Sequence, residues 1–246
     1  MDRRALLVAG GAFAGSLLGG RAAHAVVRWP MFEWERQGGA VAPGAGVTVP
    51  PLLAVYGDGE AYADAAAHRY LPARDAEALR DHAVRVLRLR GGTRRLPDRD
   101  PPRDAPWDRV RVRTADGHYL TAHLDGWGDG DRPGDFPPPL HELYDHVQVL
   151  RGTVRASGEP WHPDALLLAA VHLDAGPAGC GRWPAGVAVP AVGPGRRYVE
   201  TRPAGAAARR VRRVLPRSGA GGWPCYRTPA GTCIAANWRY SLPHEW

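Results

Sequence analysis

Two segments of this chain carry the same helical word behind the same kind of hairpin. In residues 75–88 the apolar positions Ala76, Leu79, Ala83 and Val86 fall three or four apart. In residues 139–151 Leu140, Leu143, Val147 and Leu150 repeat that spacing. Each set is one apolar stripe on a helix. The match extends to neighbouring letters, Leu79-Arg80-Asp81-His82 against Leu143-Tyr144-Asp145-His146. Ahead of the first helix, "LLAVYGDGEAYAD" turns at Gly57-Asp58-Gly59; ahead of the second, "RVRVRTADGHYLTAHLD" turns at Asp116-Gly117 between strands whose apolar residues alternate. A striped helix must bury its stripe, and a hairpin with one apolar face offers the surface. The pattern predicts an α+β fold: an antiparallel β-sheet built from hairpins, two similar ββα units, and helices packed on one face. An opening strand around Trp29–Trp34, a buried strand over 164–174, a short helix over 206–215 and a last hairpin turning at Thr228–Gly231 complete the reading.

The first 25 residues follow a different rule. Arg3 and Arg4 precede a mildly apolar stretch rich in Gly and Ala, and Ala23-His24-Ala25 has the small-x-small form of a cleavage site. This is the pattern of a secretory signal, and the paired arginines point to twin-arginine export. Gly10, Gly11, Gly15, Gly19 and Gly20 argue against a stable bilayer helix. Residues 26–246 then suit a single α+β domain, with a candidate subdomain boundary near 155–165. No later segment is long and apolar enough for a membrane helix, so no stable membrane insertion is expected after cleavage.

The segment "HELYDH" at 141–146 tests for metal chemistry. A zinc-protease helix places two histidines at i and i+4 with a Glu between them. Here Asp145 holds that position and the second histidine comes one residue later. Five residues rotate the helix by about 500°, so His141 and His146 diverge by about 140°. The Asp-His pair recurs at Asp81-His82 without the His-Glu prefix, which favours scaffold over ligand. The loop "LDGWGDGDRPGD" holds Asp125, Asp129, Asp131 and Asp135, but its order fits no EF-hand and reads as a solvated connector. No set of three ligands emerges, so neither a metal nor a cofactor is expected. Ser157, Ser218 and Ser241 lie in no nucleophile motif. The chain has no lysine to serve a Walker loop.

Three cysteines remain: Cys180, Cys225 and Cys233. In an exported protein they tend to oxidise. Cys225 and Cys233 flank the last turn and are the leading disulfide candidates; a bridge from Cys180 to either is the competing pairing. Among the nine tryptophans, Trp127 and Trp161 sit in apparent loops, where an indole caps the core under a long loop or, as the binding alternative, stacks on a sugar or a partner. The formal charge is +7, with every basic residue an arginine. The densest basic run, Arg209, Arg210, Arg212 and Arg213, reads as a solvated helix face with anionic-polymer binding as the alternative, and no nucleic-acid partner is expected.

Over "FEWERQGGAVAPGAGVTVPPLLAVYGDGEAYAD" the chain resembles a group of secreted or lipoprotein-type bacterial proteins. The matching residues are Gly38-Gly39, Pro43, Pro50-Pro51, Val55-Tyr56 and Gly57-Asp58-Gly59. The resemblance implies an extracytoplasmic address and a hairpin-based fold, and it carries no catalytic residue. The expected function is therefore binding of an unknown extracellular ligand or protein, with enzymatic activity not favoured. An extracellular hydrolase using carboxylates or a metal is the alternative, and a structural envelope-associated module the second alternative.

Overall fold

A computed structural model describes residues 28–38, 45–96, 106–127, 135–174, 179–191, 197–218 and 222–246. The expected export segment, with Arg3, Arg4, Ala23 and Ala25, lies outside the described residues. Strands β1 (Pro30–Gly38), β2 (Leu53–Tyr56), β3 (Glu60–Ala63) and β4 (Ala67–Tyr70) lead to helix α1 (Ala73–Arg88). Strands β5 (Pro106–Arg113) and β6 (Tyr119–Asp125) lead to α2 (Pro138–Ser157). Then follow β7 (Glu159–Pro160), β8 (Leu166–Leu173), β9 (Gly181–Arg182), β10 (Tyr198–Thr201), α3 (Gly205–Val214), β11 (Cys225–Arg227) and β12 (Cys233–Tyr240). Among the described residues the strands form a seven-stranded sheet, ordered β6-β5-β1-β2-β3-β4-β7, and a five-stranded sheet, ordered β10-β8-β12-β11-β9. All pairs are antiparallel except β9 with β11.

The α+β class and the hairpin-built sheets are as the periodicity predicts. So are the buried stripes, Ala76, Leu79, Ala83 and Val86 on α1 and Leu140, Leu143 and Val147 on α2. Both stripes enter one core with Phe32, Trp34, Leu53, Val55, Val110 and Leu124. Each helix nevertheless lies over the other unit's strands: α1 covers β5, β6 and β1, whereas α2 covers β3 and β4. Asp64, between β3 and β4, receives Arg151 Nε at 3.0 Å and Arg155 Nη1 at 2.8 Å from α2. Helix α2 runs past Gly152, because Val154 is also buried in the core. The β2–β3 turn needs its glycine: Gly59 has φ +87°, and a Cβ there would meet Leu71 O at 2.7 Å.

Strands β2 and β3 are buried on both faces. Leu53, Val55, Ala61 and Ala63 face the helices, while Ala54, Tyr56 and Tyr62 join a second core with Leu166, Leu168, Trp238, Tyr240, the α3 residues Ala208 and Val211, and Leu215 just past the helix. The single sheet of the sequence reading is thus two sheets. Helix α3 packs with the second sheet rather than with α1 and α2.

The cysteine pairing differs from the leading expectation. Cys180 is bonded to Cys225, with Cα atoms 4.9 Å apart, and Cys233 is a buried free thiol. The register explains it. Cys225 stands opposite Ala235 and Cys233 opposite Arg227, so the two cysteines of the hairpin are diagonal rather than paired. Diagonal neighbours lie about 7–8 Å apart, beyond disulfide reach. The parallel strand β9 brings Cys180 alongside β11 instead.

Candidate functional site

Polar residues on the face of the seven-stranded sheet away from α1 and α2 gather where the C-terminal turn (Pro243–Glu245) docks. Glu33 alternates with Phe32 and Trp34 on β1, so strand periodicity turns it to this face, where it is only 1% exposed. Its Oε2 accepts from Arg111 Nε at 2.8 Å, and its Oε1 lies 3.2 Å from His244 Nε2. On the other side of the ring, His244 Nδ1 is 2.7 Å from the Tyr56 hydroxyl. The three side chains make a line, carboxylate to imidazole to phenol. The His244–Glu33 approach is a charge contact rather than a hydrogen bond, since Glu33 Oε1 is buried without a hydrogen-bond partner among the described residues, and the donor in the Tyr56–His244 contact follows the His244 tautomer.

Tyr56 also connects this line to a second group. Arg28 lies over the Tyr56 ring, 5.0 Å from its centroid, donates to Glu60 Oε2 at 2.9 Å and pairs with Asp58. Glu60 Oε1 is 3.1 Å from His68 Nδ1. The His68 ring stacks on Tyr62 at 5.6 Å, and Trp161 meets Tyr62 edge-on at 4.6 Å.

The electrostatics follow from this packing. Burial pushes the Glu33 carboxyl up, but the His244 ring and the Arg111 guanidinium together outweigh burial and hold it below the usual carboxylate range. Burial pushes the Tyr56 and Tyr62 hydroxyls well up, reinforced at Tyr56 by Tyr62 and Glu33 and at Tyr62 by Glu60. Both phenols therefore stay protonated at neutral pH. Glu245 follows Glu33: burial raises it, and Arg239, which donates to both of its oxygens at 2.7 and 2.6 Å, brings it below the ordinary value.

Every ionisable group on these two lines has an oppositely charged or hydrogen-bonding partner, so the arrangement pins β1, β2, β3, β5 and the C-terminal turn together. Around it lie rings that face outward. Trp29 is 50% exposed and sits 6.2 Å from the His244 ring; Tyr70, opposite Glu60 across the β3–β4 pair, is 64% exposed.

The sequence candidates lie elsewhere or in other roles. Trp127 is 3% exposed, packs against Trp34 and Tyr144 and donates to Leu140 O at 3.2 Å, so it is core rather than a stacking platform. Trp161 is half-buried and donates to Ser241 O at 3.1 Å, with one side against Tyr62 and His68. In "HELYDH", His146 stacks on His82 of α1 with centroids 5.9 Å apart, so the matched letters of the two units touch. Asp129 and Asp131 of the acidic loop lie outside the described residues; Asp135 is buried and pairs with Arg95. Two apolar cavities, of about 380 and 330 Å³, flank residues 186–191 on the second sheet, away from the pinned corner.

Sequence reasoning did not single out Glu33, Glu60 or His244. Glu33 and His244 are separated by most of the chain and share no local motif. The one available signal was an acidic residue inside each of two strands otherwise built for burial, "MFEW" and "EAYA". Comparisons with protein-family models, curated proteins and solved structures found no match to this chain.

Proposed function

We propose that the protein is an exported binding module that recognises an uncharged, hydroxyl-rich chain at the corner between Trp29 and Tyr70. The observation that carries this reading is the contrast at that corner. The ionisable groups are occupied by one another, while the aromatic rings beside them present their surfaces to solvent. Paired charges leave little net field to attract an ionic ligand. Exposed rings next to fixed hydrogen-bonding groups suit a ligand with both apolar faces and hydroxyls, such as a saccharide. Export is supported by the amino-terminal pattern and is compatible with the Cys180–Cys225 bridge. No described helix is long and apolar enough to cross a membrane.

Tryptophan fluorescence during titration with chito-, malto- and cello-hexaose tests the reading. Saturable quenching is expected with at least one hexaose, and Trp29→Ala should weaken it about tenfold, or about 1.4 kcal/mol. Absence of saturation with all three contradicts the proposed ligand class.

The Glu33–His244–Tyr56 line favours one second reading, an extracellular hydrolase. The acid–imidazole–hydroxyl order is that of an activated nucleophile. Against it stand the protonated, 1%-exposed Tyr56 and the ion pair that occupies Glu33.

A further inference from the structure

We propose that the pocket between α3 and residues 186–191 binds a medium-chain aliphatic carboxylate, its head group on Arg202 and its tail along Leu168, Val187, Val189 and Val211. The pocket holds about 330 Å³, and its neighbour across residues 189–191 holds about 380 Å³. Protein interiors are close-packed, with few voids larger than a water molecule. An apolar cavity of about 150 Å³ already takes a benzene-sized guest. This pocket falls at the small end of ligand sites, which run from about 300 to 1,000 Å³, so it suits one alkyl chain rather than the paired tails of a lipid. Val189 lines both pockets and is 39% exposed, so apolar surface here faces water until a ligand covers it.

Charge decides the head group. Among the described residues neither pocket is lined by Asp or Glu, and Arg202 is the one arginine that lines them. Its backbone is fixed on both sides: Thr201 stands opposite Leu168 on β8, and Pro203 O accepts from Leu166 N at 3.0 Å. Its contact with Glu200 is long, 3.7 Å. A second guanidinium stands at the same rim, because a Cβ on Gly186 would come within 2.8 Å of Arg210 Nη2. A planar guanidinium takes a carboxylate through two parallel N–H donors. Arg202 shares its charge with Glu200, so a singly charged head matches it better than a doubly charged phosphate. The facing wall is held at its root. Trp183 Nε1 donates to Val187 O at 2.8 Å, Trp183 N donates to Arg227 O at 3.0 Å, and the Cys180–Cys225 bridge fastens the start of β9 to β11. A wall fixed in this way need not be ordered by the ligand.

Isothermal titration calorimetry of the whole folded chain with decanoate, kept below its micellar concentration, tests the assignment. One saturable site is expected. Arg202→Gln should weaken it about tenfold, as loss of a charge-assisted hydrogen bond does. Ala207→Phe, which fills the pocket from an exposed position on α3, should weaken it about tenfold or more. Ala230→Phe, at the rim of the neighbouring pocket, should change it less than about twofold. The decyltrimethylammonium ion, with the same tail and the opposite charge, should bind about tenfold more weakly or not at all. Should Ala207→Phe fail to melt cooperatively, Ala188→Phe, at another exposed lining position, takes its place. Absence of a saturable site for decanoate overturns the proposal. So does equal binding of the ammonium ion, or decanoate binding that either Arg202→Gln or the pocket-filling variant leaves unchanged. An equal loss in Ala230→Phe would move the ligand to the neighbouring pocket and overturn it as well. Trp29→Ala should leave decanoate binding intact, so this pocket and the aromatic corner succeed or fail separately.

Discussion

Glu33 shows how one residue ties the molecule together. Its carboxylate joins β5 through Arg111 and the C-terminal turn through His244. Removing one member of a buried pair leaves the other charge unsatisfied, so Glu33→Gln should cost about 3–5 kcal/mol in urea unfolding at pH 7. The pH sign follows from the lowered carboxyls of Glu33 and Glu245. Their stabilisation is present above the ordinary carboxylate value and is lost as pH falls through the lowered folded values. Stability should therefore drop steeply in acid below about pH 4.5, and the drop should be shallower in Glu33→Gln. An unchanged acid slope in that variant would separate Glu33 from the acid transition. At the cysteines, Cys180→Ser opens a closed loop of 45 residues and should cost about 4 kcal/mol, whereas Cys233→Ser should leave the bridge intact on peptide mapping. A Cys225–Cys233 peptide from the native protein would reverse the pairing described here.

At the scale of elements, the apolar stripes carry most of what the sequence made legible. Leu79 and Leu143 are both fully buried. Leu79→Ala and Leu143→Ala should each cost about 2–5 kcal/mol by chemical denaturation, and near-neutral effects at both would remove the shared core. Where α1 and α2 meet, burial, then Arg85 and His146, hold the His82 imidazole below its ordinary value. A base depressed in the folded state binds fewer protons than in the unfolded chain. This contact therefore loses stability as pH falls through about 6.5. His82→Gln should flatten the melting temperature between pH 7 and pH 5.5. Hairpins and helices were readable because each is fixed by letters a few residues apart. The exchange of helices between units was not, because either strand pair offers the same apolar face. The hairpin cysteines misled for a related reason: the turn places both near its ends, but only the register decides which face each other.

Across the whole molecule, the seven-stranded sheet forms the middle of a layered stack, with α1 and α2 on one face and the second core against β2 and β3 on the other. The chain passes from the seven-stranded to the five-stranded sheet between β7 and β8. Yet Tyr56 and Tyr62 are shared with the second core, so a fragment ending at residue 163 would expose them and should not melt cooperatively. The candidate site was illegible at this scale. Its members come from β1, β2, β3, β4, β5 and the C-terminal turn, and only the sheet order brings them together. The central claim is that this buried ionic corner is scaffold and that its aromatic surroundings bind. The most direct measurement follows hexaose binding and release of reducing ends in the same samples of wild-type, Trp29→Ala and Glu33→Gln protein. The account predicts saturable binding without release of reducing ends, weakened about tenfold by Trp29→Ala and retained by whatever fraction of Glu33→Gln remains folded. Release of reducing ends by the wild type that disappears in folded Glu33→Gln would contradict it and make the corner an active site.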